Sequence, residues 1–213
     1  MNAGGAVTFG VGLTGTINLT SGPISITSAT PSITGPGANA ITINASGNAG
    51  RIFNIVSTGT TTTVSGLTLT GGSAGPTSQG GAVLNNGTLT LNAVAVTSNA
   101  ASDGGGGIYN TGSLTVTSSL FTGNTVTSST CAGGGAIRSE GPGSSLVVSD
   151  STITANSAPS CNGGGISFNN GTASIIASTI TANSAGLGGG NVYKGSAAAG
   201  LTLGTSVISD GTT

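Results

Sequence analysis

The sequence predicts an all-β fold, a right-handed parallel β-helix (solenoid) with about three strands per turn and roughly eight turns, and three observations carry that prediction. Val, Ile and Thr recur in short runs that alternate with small or polar residues, the period of a strand with one covered face. Three anchors recur in a fixed order about every 25 to 30 residues, and a unit that short buries a core only by stacking on copies of itself. Aromatic residues make up 3% of the 213, with no Trp and 41 Gly, so the interior must be narrow and filled by Leu, Ile, Val and Ala. Residues 1–213 are read as one β-helix domain, with shorter, degenerate turns in 1–72 and regular repeats in 73–213.

The leading turns are read in TINLTSGPISIT (around 17–27), NAITIN (39–44), RIFNI (51–55) and VSGLTLTGG (64–72). In the regular part the first anchor is Gly-small-aliphatic, aligning Val83, Ile108, Ile137, Ile166 and Val192. The second is a short apolar alternation that places Leu89, Leu114, Leu146, Ala173 and Leu201 in one inward column and Leu91, Val116, Val148, Ile175 and Leu203 in the next. The third ends in Asn, with Val96, Phe121, Ile153 and Ile180 as its core residues. Ser119, Ser151, Ser178 and Ser206 share a position at a bend and predict a hydroxyl column. Asn99, Asn124, Asn156 and Asn183 share another. Those asparagines read either as a ligand set or as a structural ladder at a corner, and the ladder is favoured because amides stacked at strand spacing bond one another and the backbone.

Composition excludes several functions. Three basic residues, Arg51, Arg138 and Lys194, lie far apart in the chain, whereas binding nucleic acid takes clustered Lys and Arg. No apolar run approaches the ~20 residues of a transmembrane helix, and the Met-Asn-Ala-Gly start lacks the basic and apolar regions of a signal peptide. The chain is therefore expected to be cytosolic or to have lost its export signal.

Catalysis on a polysaccharide needs paired carboxylates, or a carboxylate cluster for calcium with a basic partner. Asp103, Glu140, Asp150 and Asp210 share no register position on adjacent turns, and without histidine no base activates the many serines. No catalytic residue, cofactor or metal site is predicted. The glycine runs 104–107, 133–135, 163–165 and 188–190 lack the Lys-Ser/Thr and following helix of a phosphate loop, and are read as places of positive φ and close backbone approach.

Cys131 and Cys161 fall in the same loop on successive turns. Two thiols without histidine make a poor zinc site, so the alternatives are a disulfide, implying an oxidising compartment, and two buried free thiols. Two outward columns follow. One carries Tyr109, Arg138 and Tyr193, either a binding stripe for sugar rings or a partner surface, or simple shielding of strand edges. The other is a Thr-x-Thr array of Thr68, Thr70, Thr97, Thr122, Thr152, Thr154, Thr179 and Thr181, interrupted at Ala95 and Leu120. It reads as a water-ordering, ice-binding face or as ordinary β-propensity.

The GGAI at 134–137 with the FTGN at 121–124, and the looser GGAV at 80–83, resemble the GGAI and FxxN repeats of polymorphic outer-membrane proteins. The leading segments resemble the first turns of bacterial surface β-helix proteins with those repeats. The resemblance covers most of the chain. It implies a pectate-lyase-like β-helix, export, and a surface or passenger role such as adhesion.

The expected function is a non-catalytic extracellular or cell-surface scaffold, adhesin-like, with itself or surface glycans and proteins as partners. Ice binding through the threonine array is the first alternative. A filament-forming structural subunit is another, because no polar cap is legible at either end and LTLGTSVISDGTT stops within a turn. A polysaccharide lyase or hydrolase ranks last.

Overall fold

The computed structural model describes residues 5–213 except 28–29, 48–49, 129–131, 199, 210–211 and 213. The chain winds as an all-β solenoid of about seven turns, its strands stacked into three parallel sheets. One turn shows the plan: Val83–Asn85, Thr88–Asn92, Ala95–Thr97 and the two-residue Ala100–Ala101. The following turn repeats it as Ile108–Asn110, Ser113–Thr117, Leu120–Thr122 and Thr125–Val126. The first two strands of each turn belong to a 13-stranded sheet, the third to an 8-stranded sheet and the fourth to a 5-stranded sheet. The three predicted runs are therefore present, joined by a fourth too short to show a period.

Register follows the repeat alignment. Val83 pairs with Ile108, Ile108 with Ile137, Ile137 with Ile166 and Ile166 with Val192. Leu89, Leu114, Leu146, Ala173 and Leu201 pair in sequence, as do Val96, Phe121, Ile153 and Ile180. A one-residue slip would turn each apolar column outward, so the alternation fixes the pairing. These columns form one core that includes Phe53, Phe121 and Phe168, all essentially inaccessible to solvent.

The count of about seven turns agrees with the roughly eight expected; Phe53–Ile55, Thr61–Ser65 and Thr68–Thr70 follow one another around a single circuit. The structure corrects the sequence reading in two places. The first and second runs, aligned as separate anchors, join in Ile137–Ser149 and Ile166–Ile176, which continue as single strands with one irregularity between Glu140 and Ser144. Leu203, assigned to the core, is 54% exposed, since no further described turn lies over it.

The corners explain how small residues let the chain turn. Ala93, Ser118, Asp150 and Ala177 each adopt a left-handed conformation (φ 48° to 52°) between the second and third strands, where an earlier turn has Gly66. Ser98, Ala155 and Ala182 do the same after the third strand, where neighbouring turns use Gly71 and Gly123. The Gly-Gly segments answer a different need, closeness. A Cβ on Gly135 would lie 2.2 Å from the Gly164 carbonyl oxygen and 2.6 Å from the Ser157 nitrogen, all backbone and unable to yield.

Candidate functional site

The polar columns inside the stack belong to the scaffold. Asn124 donates from both its backbone N–H and its Nδ2 to Asn156 Oδ1, each at 2.9 Å, and Asn156 repeats this onto Asn183. Asn99 does the same to Asn124 at 3.1 and 2.9 Å, and its own Oδ1 accepts the Gly72 N–H at 2.8 Å. The second Nδ2 proton of each goes to backbone carbonyls, as from Asn156 to Phe121 (3.1 Å) and Thr154 (3.0 Å). Asn191 takes the last rung, accepting from Asn183 at 2.8 Å and donating to the Ser209 carbonyl.

The serine column works alike. Ser119 Oγ accepts the Val94 N–H (3.1 Å), Ser151 accepts from Ser119 (3.0 Å), Ser178 from Ser151 (3.2 Å) and Ser206 from Ser178 (3.2 Å). A third ladder, Asn85 to Asn110 to Ser139 at 2.7 and 3.0 Å, escaped the sequence reading although register aligns the three.

Two outward surfaces remain as candidate sites. The third-strand wall carries all eight predicted threonines, each partly exposed. In one column Asn44, Thr70, Thr97, Thr122, Thr154 and Thr181 pair in unbroken register. In the other, Thr42, Thr68, Thr152 and Thr179 are interrupted by Ala95 and by Leu120, which is 37% exposed. The Thr68 hydroxyl donates to the Ala38 carbonyl, so a leading loop overlies one end of this column. Beside that loop the interruption opens into a shallow groove of about 480 Å³ bordered by Ala38, Ala95, Leu120 and Asp150.

The first-strand wall carries the predicted stripe. Register sets Leu84, Tyr109, Arg138, Ser167 and Tyr193 in one column, but Tyr109 and Arg138 are covered, at 7% and 6% exposure. Glu140, two residues along the same strand face, was missed by the sequence reading although a period of two places it beside Arg138. Its Oε2 lies 3.0 Å from Arg138 Nη2, receives Arg138 Nε at 3.2 Å and accepts the Tyr109 hydroxyl at 3.1 Å. Burial, and the Glu140 charge beside it, push the Tyr109 phenol well above its ordinary range. Arg138 Nη1 reaches on to Ser167 Oγ at 2.5 Å. Above the guanidinium a polar pocket of about 240 Å³ opens toward Asn162, Asn169, Tyr193 and Ser196.

The remaining candidates are dispersed. Asp103 accepts from Gln79 Nε2 at 2.8 Å, and Asp150 sits in a corner. No group of three or more His, Cys, Asp or Glu side chains is close enough for a metal among the described residues. Cys161 is buried against Val126 and Ala158, its Sγ 3.6 Å from the Ser128 carbonyl oxygen, and no cysteine among the described residues is free. Cys131 lies outside the described residues. No helix of the described residues is long and apolar enough to cross a membrane. Comparison with protein-family models, with curated proteins and with solved structures yields no match.

Proposed function

We propose that the chain is a non-catalytic β-helix scaffold of the cell surface or extracellular space, adhering to neutral glycans or to copies of itself through its third-strand wall. One observation carries this reading: an outward polar column in unbroken register from Asn44 to Thr181 on an almost uncharged surface. Hydroxyls and amides repeated every ~4.8 Å meet a repeating partner at many equivalent points, so weak contacts add along the rod. The GGAI and FTGN motifs fit a place beside polymorphic outer-membrane protein repeats. A disulfide between Cys131 and Cys161, which would suit an oxidising compartment, is part of the same proposal.

The test is sedimentation of the purified chain with cellulose and chitin, and alone over a range of concentrations. Retention or self-association that falls sharply in the double variant Thr122→Lys, Thr154→Lys, with unchanged thermal melting, supports the wall as the contact face. Retention indifferent to those substitutions overturns it. The Thr-x-Thr pairs at Thr152 and Thr154, and at Thr179 and Thr181, favour ice binding as a second reading. Absence of thermal hysteresis and of recrystallisation inhibition at high protein concentration removes that alternative.

A further inference from the structure

The pocket on the first-strand wall is a product of one short side chain. Along the outward column, Tyr109, Arg138 and Tyr193 are long and Ser167 between the last two is not, so a gap is left between a guanidinium and a phenol ring on alternate turns. Two strands at ~4.8 Å spacing separate the backbones of those residues by ~10 Å. Arg138 leans into the gap and covers Ser167, which is fully buried. Its guanidinium lines the pocket together with Asn162, Asn169, Tyr193 and Ser196. The volume of about 240 Å³ is room for several waters or one hydroxylated ring.

The charges decide what kind of ring. Glu140 balances Arg138 from the Tyr109 side and does not line the pocket, so among the described residues the guanidinium is the only formal charge that does. Of its five N–H groups, three point to Glu140 and Ser167, which leaves two without a partner among the described residues. A planar cation with free donors at the base of a pocket suits a carboxylate, which it receives in a fork geometry. The Tyr193 ring offers a face for the C–H groups of a pyranose, and the Asn and Ser side chains offer both donors and acceptors to hydroxyls.

We propose that this pocket binds an acidic sugar residue, its carboxylate on Arg138, its ring against Tyr193 and its hydroxyls on Asn162, Asn169 and Ser196. The site is separate from the threonine wall and goes beyond the adhesive role proposed for it. A free acidic monosaccharide and an acidic residue within a polysaccharide present the same chemistry.

The experiment is a titration of the isotopically labelled full chain, followed by amide chemical shifts, with glucuronate, glucose, acetate and a short glucuronate-containing oligosaccharide. Glucuronate should shift the signals of Asn162, Asn169 and Tyr193 and bind at least about tenfold more tightly than either glucose or acetate. Tyr193→Ala should weaken glucuronate about tenfold or more without lowering the melting temperature, and Arg138→Lys should erase the preference for glucuronate over glucose. Tighter binding of the oligosaccharide than of glucuronate assigns the site to a polymer, and equal binding assigns it to the free sugar; both agree with the proposal. No shifts in these residues, equal binding of glucose or acetate, or affinity untouched by Tyr193→Ala would overturn it, and would leave the threonine wall reading as it stands.

Discussion

Replacing Asn156 by Ala tests whether the asparagine column holds the turns together. The side chain is fully buried and joins its own turn to both neighbours. Its Oδ1 accepts two donors from Asn124, the backbone N–H and one Nδ2 proton, each at 2.9 Å. Truncation leaves both buried and unmatched. At about 1 to 3 kcal/mol for each orphaned donor, the loss is about 2 to 6 kcal/mol, to which the deprived carbonyls of Phe121 and Thr154 add less because carbonyls tolerate under-satisfaction better. Asn99→Ala orphans one donor, the Gly72 N–H, and should lose about 1 to 3 kcal/mol. Because Asn124 and Asn156 share bonds, the double variant Asn124→Ala, Asn156→Ala should lose less than the sum of the singles. Urea unfolding followed by circular dichroism measures all three. A loss below about 1 kcal/mol for Asn156→Ala, or strict additivity in the double variant, would refute a ladder that carries stability.

Other outcomes follow from the same geometry. Ala155→Gly and Ala182→Gly, at φ 54° and 53°, relieve a left-handed cost of about 1 to 2 kcal/mol against an entropy loss of about 0.5 to 1, so each should raise the melting temperature slightly. Leu114→Ala in the thin core should lose about 2 to 5 kcal/mol in urea unfolding, since the stacked backbone cannot collapse around the hole. Tyr109 is held protonated in the folded chain, so its contribution is complete below the ordinary tyrosine value of about 10 and declines as pH rises above it. Absorbance at 295 nm should show a phenol that resists ionisation until the fold is lost, a component missing in Tyr109→Phe. For the proposed Cys131–Cys161 bridge, the native chain should show no thiol reactive under denaturing, non-reducing conditions, and reduction should remove about 3 to 4 kcal/mol of stability; two titratable thiols would contradict the bridge.

The walls of this fold were legible because the interior admits only aliphatic residues at a period of two, and stacking forces equivalent residues of successive turns into register. That is why Leu114 lies over Leu89 and Asn124 over Asn99. The two-residue strands such as Thr125–Val126 were illegible, since two residues show no period. Asn191 stands just before the aligned Val192, where the repeat pattern marks no role, yet its buried amide supplies the last rung to Asn183. The pocket was only half legible: the column of Tyr109, Arg138 and Tyr193 follows from alignment, whereas the gap depends on how far Arg138 leans over Ser167, a rotamer that no pattern encodes.

The proposed scaffold grips without cutting, and one assay reads both. Labelled protein is incubated with insoluble and soluble polysaccharides, and bound protein and newly released reducing ends or unsaturated products are followed over time in the same tube. Retention should saturate while product stays at the level of a protein-free control. Product that accumulates steadily with time and with protein concentration would contradict it.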